Sequence, residues 1–182
     1  MTLSQLDSIE TAAQPGPTIS RLRDETTRQV STYDRTNRRK TVSVPRAKTV
    51  VIADVQGAGT IQSLWLTFPG WFWAHWDEYG PVSQTILKTL ILRIYWDGAA
   101  TPAVESPVGD FFGNGLCQVS NFSSIYFGMS SGGFYCRFPM PFREGFRVEV
   151  ENRDATIDTV VFASILYQEA HTQPDDQGYF HA

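Results

Sequence analysis

The hydrophobic positions along this chain predict many short strands and almost no helix. In the segment 146–151, valines alternate with charged residues, which is typical of a strand with one buried and one solvent-facing side. The segment 87–96 is an almost continuous apolar run, which predicts a strand buried on both faces. Two β-branched and apolar stretches meet at Gly57-Ala58-Gly59, which indicates a hairpin across a glycine turn.

Glycine and proline separate the predicted strands and keep the connections between them short. Eight segments have strand character: 49–55, 60–68, 87–96, 103–108, 124–129, 134–138, 146–151 and 159–167. A chain with about eight short strands and almost no helix is expected to fold as a sandwich or jelly roll. We therefore predict an all-β protein, a single jelly-roll β-sandwich with an N-terminal arm.

The two ends of the chain differ from this strand-rich middle. Three apolar residues at helical spacing predict a short helix over 3–13, which the prolines and glycine of 14–17 would end. The segment 19–40 is polar, has no sustained period and is predicted to be an extended arm or a functional loop. The expected organisation is an arm over 1–40, a jelly-roll domain over 41–170 and a polar tail over 171–182.

Composition and charge narrow the possible partners. The 182 residues carry a formal net charge of −4, and the only basic cluster lies at 35–40, so nucleic-acid binding is not expected. The longest apolar stretch, 85–96, is too short and too charged to span a bilayer. No secretion signal is visible, so a cytoplasmic location is the default expectation, with Cys117 and Cys136 reduced and buried.

The sequence does not predict a metal ion or a cofactor. The three histidines, His75, His171 and His181, are scattered, and no pair has the spacing of metal ligands. The chain also lacks the Gly-x-Ser-x-Gly turn of many serine hydrolases and the lysine of a phosphate-binding loop.

Carboxylates near strand ends are better candidates for chemistry, because hydrolysis of a glycosidic bond generally needs two carboxyl groups. Asp97 precedes Gly98, and this pair is also a common turn former. Asp110 lies between Gly109 and Phe111, where glycines and aromatic rings could hold an acid against a flat ligand. Capping of local backbone amides by Asp110 is an equally open interpretation.

An aromatic segment, 69–81, gathers Trp71, Trp73 and Trp76 among glycines and acidic residues. Such rings offer large flat faces that could line a sugar site or a protein interface. A loop folded onto its own domain explains the same pattern, so both interpretations stay open. Trp73 is a candidate substrate-binding residue.

Five segments, in order along the chain, resemble the motifs of one family. They are 31–37, 53–61, 92–98 with 102–113, 134–142 and 151–152. The most specific reads Pro-Ala-Val-Glu-Ser-Pro-Val-Gly-Asp-Phe-Phe-Gly, at 102–113. On these motifs the chain resembles the domain-of-unknown-function family 2961, which is also classified as glycoside hydrolase family 172. The resemblance covers most of 31–167.

The resemblance implies a jelly-roll fold and action on furanosides. Relatives in the family cleave or rearrange α-D-fructofuranosides and D-arabinofuranosides with retention of configuration, and they assemble as trimers or multiples of trimers. The family's chain is longer and contains two jelly rolls, with its nucleophile in a Gly-Thr-Gly-Thr-Glu-Asp-Tyr-Phe motif of the second half. This chain has no such motif, and 178–182 resembles the link into that half. We therefore expect the N-terminal half of such an enzyme, and catalysis by this chain alone is an open question.

The resemblance also assigns candidate substrate-binding residues. Asp34, Arg35 and Asn37 match the family's N-terminal loop, which lies close to the active site. A carboxylate and a guanidinium provide the acceptors and donors that furanose hydroxyls need. Asp110 and Phe111 are the second choice, as a wall of the site.

Several partners and two other functions are consistent with the same residues. The expected partners are a furanoside carbohydrate and either further copies, as a trimer or hexamer, or a second jelly-roll subunit. A second hypothesis is a non-catalytic assembly protein, because jelly rolls build shells and rings, and six single copies can imitate a trimer of double ones. A third is a carbohydrate-binding module that uses Trp71, Trp73 and Trp76.

Overall fold

The computed structural model describes residues 26–68, 85–117, 121–171 and 176–182, and these residues form strands and two one-turn helices. The elements are β1 Thr26–Ser31, β2 Val42–Val44, β3 Lys48–Gln56, β4 Ala58–Thr67, α1 Ile86–Thr89, β5 Leu90–Trp96, β6 Val104–Pro107, α2 Val108–Phe111, β7 Phe122–Ser123, β8 Phe127–Ser130, β9 Gly133–Cys136, β10 Met140–Phe142, β11 Gly145–Asn152 and β12 Thr159–Ala170.

The strands form two antiparallel sheets. The larger sheet has the order β1-β12-β4-β9-β8-β7, with β10 paired to β4 and β2 paired to β12. The smaller sheet has the order β3-β11-β5-β6. Side chains from both sheets form one buried core, so the predicted all-β sandwich is confirmed. The jelly-roll connectivity stays a prediction.

The core follows from the alternation that the sequence shows. In β11, Val148 and Val150 are fully buried, and the charged residues between them face outward. Phe142 of the larger sheet meets Phe146 of the smaller sheet with ring centroids 4.9 Å apart. Rings of this size bury much apolar surface and dominate the contact between the two layers.

One predicted strand is wrong at its start. Residues 86–89, the beginning of the apolar run, form helix α1, in which the amides of Lys88 and Thr89 donate to the carbonyl of Thr85. An unbroken apolar run has no period that separates a buried helical turn from a buried strand. The remainder, β5, has six of its seven residues buried, as a strand covered on both faces requires.

The polar segment before residue 41 contributes to the larger sheet. β1 runs antiparallel to β12 from Thr26 opposite Glu169 to Ser31 opposite Ser164. After ten more residues, β2 continues along the same strand, with Val42 opposite Val161. Residues 32–41 are therefore an excursion from one edge strand. The predicted helix over 3–13 lies outside the described residues, and the domain boundaries stay predictions.

The sandwich has two distinct ends. At one, the β5–β6 turn at Asp97 meets the β10–β11 turn and the β3–β4 turn, where the amide of Gly57 donates to the carbonyl of Glu144. At the other, β2 passes into β3, and β11 passes into β12 through a loop that the buried Asn152 side chain organises. We call them the Asp97 end and the Asn152 end.

Candidate functional site

Asp97, the first candidate carboxylate, accepts hydrogen bonds that hold parts of the fold together. Together with Gly98 it forms the Asp97 turn (residues 97–98), where both residues have a positive φ, 52° and 71°. Its Oδ1 accepts hydrogen bonds from the amides of residues 143–145, at 2.7 to 3.1 Å, and its Oδ2 accepts one from the Tyr179 hydroxyl. Burial alone would raise the pKa of Asp97, but these hydrogen bonds outweigh it and lower the pKa.

Glu105 lies in an ionic network on the outer face of the smaller sheet. Arg93 Nη2 contacts Glu105 at 3.2 Å and Glu151 at 2.6 Å, and Arg153 contacts the same two carboxylates at 2.9 Å each. The hydrogen bond from Arg93, followed by that from Arg153, lowers the pKa of Glu105. Cross-strand pairs of opposite charge stabilise a sheet, so this cluster has a structural explanation.

Asp110 is bound differently. It lies in the Asp110 loop (residues 108–115), which follows edge strand β6 and includes α2. Both of its carboxylate oxygens accept hydrogen bonds from Lys88 Nζ, at 2.7 and 2.9 Å, and both side chains are about 40% exposed. Among the described residues, no backbone amide donates to this carboxylate, although the Asp110 carbonyl accepts the amide of Gly113 at 3.1 Å. Asp110 therefore presents a solvent-facing carboxylate next to an ammonium group.

Glycines and aromatic rings shape the Asp110 loop. Gly113 has φ +79°, a conformation that favours glycine. A Cβ on Gly115 would come within 2.5 Å of the Asp110 carboxylate, so any other residue there would displace that side chain from its present position. Phe111 is half-buried, with its ring 4.9 Å from Phe112 and 6.4 Å from Phe180. The loop brings together an acid, glycines and aromatic rings, as the sequence indicates. Phe111, however, contacts two other rings and is not a freely exposed ring.

The Asp34 loop (residues 32–40) is held by its own side chains. Asp34 Oδ1 accepts the amides of Thr36 and Asn37, at 2.8 and 3.2 Å, and its Oδ2 accepts the Asn37 side-chain amide at 2.7 Å. The Asn37 side chain, then its backbone and that of Thr36, lower the pKa of Asp34. The Thr32 hydroxyl closes the base of the loop by donating to the Lys40 carbonyl at 3.0 Å.

Within the described residues, Arg35 has no hydrogen bond or ion pair, and its side chain is exposed on this loop. Asn37 is exposed as well, although its amide is occupied by Asp34. The two candidates thus differ: Asn37 shapes the loop, and Arg35 is available to a ligand.

The two candidate loops lie on opposite sides of the sandwich. The Asp34 loop leaves the β1–β2 edge, which contacts β3, and the Asp110 loop follows β6, at the other edge of the smaller sheet. Three strand spacings separate those edges, roughly 14 Å. Both loops lie towards the Asn152 end, but a single chain does not join them in one pocket. Trp73 lies outside the described residues.

The described residues contain no group of three histidine, cysteine or acidic side chains that could hold a metal ion. Cys136 is buried and Cys117 half-buried, no disulfide joins them, and burial raises the pKa of Cys136. Both helices in the described part of the chain have a single turn, so neither has the length or apolarity to cross a bilayer.

Sequence reasoning missed the partners of Asp97. Tyr179 and the turn after β10 are far from it in sequence, and nothing in the local pattern links them. Lys88, the partner of Asp110, is in the sequence only one of the charges within the apolar stretch 85–96.

Comparison with models of protein families identifies the family of this chain. A family model described as GH172 domain-like matches residues 34–161, more than two thirds of the chain. The matched range includes the Asp97 turn, the Asp110 loop and most of the Asp34 loop. A search of curated proteins found no match.

Proposed function

This chain belongs to the GH172 domain-like family, and we propose that it forms the N-terminal β-sandwich of a furanoside-active, retaining glycoside hydrolase. The family match is the observation that carries the proposal, because it spans the motifs at 53–61, 92–113 and 134–142 in one continuous range. Glycoside hydrolase relatives are expected to contact carbohydrate. The proposed ligands are fructofuranosides or D-arabinofuranosides.

The described carboxylates favour a catalytic pair supplied by a second β-sandwich. A retaining glycosidase needs two carboxyl groups about 5–5.5 Å apart, one of them an acid whose pKa is raised. Glu105 and Glu151 are close neighbours across Arg93, but the pKa of Glu105 is lowered and both groups are held by arginines. We propose that the missing pair lies on another chain or further along the same one.

The residues of this half would then bind and orient the sugar. Arg35 offers donors to ring hydroxyls, and Asp34 keeps the loop in shape through its three local hydrogen bonds. Asp110 offers acceptor oxygens beside Lys88, and Phe111 offers the edge of a packed ring. Because the two loops are far apart in one chain, the proposed site takes one loop from this half and its other wall from a second β-sandwich.

The proposal is tested by titrating the purified chain with methyl α-D-fructofuranoside and methyl α-D-arabinofuranoside, followed by NMR of backbone amides. We expect shifts confined to one of the two loops, no turnover of 4-nitrophenyl furanosides, and weaker binding in Arg35→Ala or Asp110→Asn. Arg46→Ala, which changes an arginine in the β2–β3 connection, is the matched control.

Each outcome separates one hypothesis from another. Turnover by this chain alone would contradict the need for a second half. Absence of any furanoside shift, together with sedimentation as a closed ring, would favour the non-catalytic assembly protein. Binding lost in Trp73→Ala and unchanged in Arg35→Ala would favour a carbohydrate-binding module.

A further inference from the structure

The C-terminal segment (residues 176–182) lies along the open edge of β6. The amide of Ala182 donates to the carbonyl of Ala103 at 3.1 Å, and the amide of Glu105 donates to the carbonyl of Ala182 at 3.0 Å. Ala182 thus bonds to the residues immediately before and after Val104. This is the hydrogen-bond pattern of two parallel strands in which Ala182 lies beside Val104. The segment therefore extends the smaller, otherwise antiparallel sheet with a parallel step.

Side chains fasten the segment before it reaches β6. The Tyr179 hydroxyl donates to Asp97 Oδ2, and the Arg143 guanidinium lies over the Tyr179 ring, 4.8 Å from its centroid. Arg143 also donates to the carbonyl of Gln177 at 2.9 Å. These bonds hold the segment at the Asp97 end, on the two turns that meet there.

Phe180 occupies a slot between the two sheets. Its carbonyl accepts the Trp96 indole N–H at 2.8 Å, and its ring lies 6.4 Å from Phe111 and 5.6 Å from Phe138. Phe111 follows the smaller sheet, and Phe138 connects β9 to β10 in the larger one. Phe138 in turn stacks on the half-exposed ring of Tyr126 at 4.6 Å. The ring of Phe180 thus closes the side of the sandwich at the β6 edge.

The remainder of the β6 edge offers little for pairing. Pro102 and Pro107 bound the strand, and neither has an amide hydrogen to donate. The carbonyl of Ala103 and the amide of Glu105 are the edge groups that the segment takes. An exposed edge strand is a template for pairing with another extended chain, and this one accepts a partner over a short, defined stretch.

We propose that the β6 edge, the Trp96 indole N–H and the Phe111–Phe138 slot form a strand-acceptor site for the segment 179–182, which the chain fills with its own copy and can exchange with that of a second copy. The site selects an extended peptide in which an aromatic residue, like Phe180, lies two positions before the residue that pairs with Val104, like Ala182. Exchange conserves every contact described above, because the same groups meet in both arrangements.

The test uses the full-length Phe180→Ala chain and a synthetic peptide of residues 176–182. Loss of the ring empties the slot, and we expect hydrogen exchange at the Glu105 amide to become at least about tenfold faster than in the unaltered chain. The peptide is then expected to bind this variant in a fluorescence titration and to restore the protection of Glu105. A peptide with alanine in place of Phe180 should do neither.

Two further variants keep the proposal falsifiable. His181→Ala changes an exposed neighbour and should leave the exchange of Glu105 unchanged. If Phe180→Ala does not fold, as judged by circular dichroism, Tyr179→Phe, which removes only the bond to Asp97, replaces it in the measurement of hydrogen exchange at Glu105. Rapid hydrogen exchange at the Glu105 amide of the unaltered chain would overturn the proposal. So would a Phe180→Ala chain in which Glu105 exchanges faster but the peptide does not bind. No readout involves sugar, so this result is independent of the proposed function.

Discussion

Two aspartates that follow neighbouring strands have opposite uses. Asp97 follows β5 and connects three separate parts of the chain, through three backbone amides and the Tyr179 hydroxyl. Asp110 follows β6 and contacts one exposed lysine. Both lie beside a glycine, yet of the two only Asp97 is part of the framework. A carboxylate with backbone partners stabilises the fold, and one with a single solvated partner is open to a ligand.

The difference in bonding between Asp97 and Asp110 separates positions that stabilise the fold from positions that are open to a ligand. Hydrogen bonds to a charged group contribute about 1.5–3 kcal/mol each, and loss of the acceptor leaves several amides without a partner. An exposed lysine–aspartate pair contributes about 0–1 kcal/mol. Under the proposed function, substitutions that act on carbohydrate binding should therefore be sought at Asp110 and Arg35, whose exposed side chains contribute least to the described fold.

The largest expected effect is on stability at the Asp97 turn. Asp97→Ala removes the acceptor of three amides and the tie to Tyr179, so we expect the free energy of unfolding to fall by about 2–4 kcal/mol. Asp110→Ala should lower it by no more than about 1 kcal/mol. Urea unfolding followed by tryptophan fluorescence measures both. Tyr179→Phe keeps the amide bonds and separates the contribution of the C-terminal segment. Equal losses in the two alanine variants would erase the distinction.

A smaller effect is expected in the pH dependence. The pKa of Asp97 is lowered in the fold, so its contribution to stability is present above the unfolded value, about 3.9, and is lost as pH falls through the folded value. Asp97→Asn should therefore flatten the decline of unfolding free energy as the pH falls below about 4. Asp110→Asn is the matched variant, because it removes a carboxylate that no described backbone amide binds. Parallel acid slopes for the unaltered chain and Asp97→Asn would contradict the assignment.

The smallest expected change in stability follows from Lys88→Met. Both members of the Lys88–Asp110 pair are about 40% exposed, so the free energy of unfolding should change by less than about 1 kcal/mol. The substitution frees both oxygens of Asp110, and under the proposed function the dissociation constant for a furanoside should change. Calorimetric titration, with thermal melting as the stability control, measures both. A large drop in melting temperature with unchanged sugar affinity would assign the pair to the fold.

The sequence predicted the two-sheet architecture because period-two alternation is written directly into segments such as β11. It misassigned residues 86–89, since a continuous apolar run reports burial and not backbone conformation. It favoured Asp110 as a site residue, but it could not show which groups bind each of the acidic residues. Asp97, Glu105 and Asp110 all lie near strand ends, and the partners that distinguish them are an amide turn, an arginine pair and a lysine from other elements.

By itself, the sequence determined the strand pattern, the family motifs and the residue types available at each turn, because these depend on neighbours along the chain. The tertiary structure decided which acids are structural, how far the Asp34 loop lies from the Asp110 loop, and what covers the β6 edge. Those properties depend on groups that are distant in sequence and meet only when the sheets pack. The amides that bind Asp97 are more than 40 residues away from it, and no local pattern encodes such a pair.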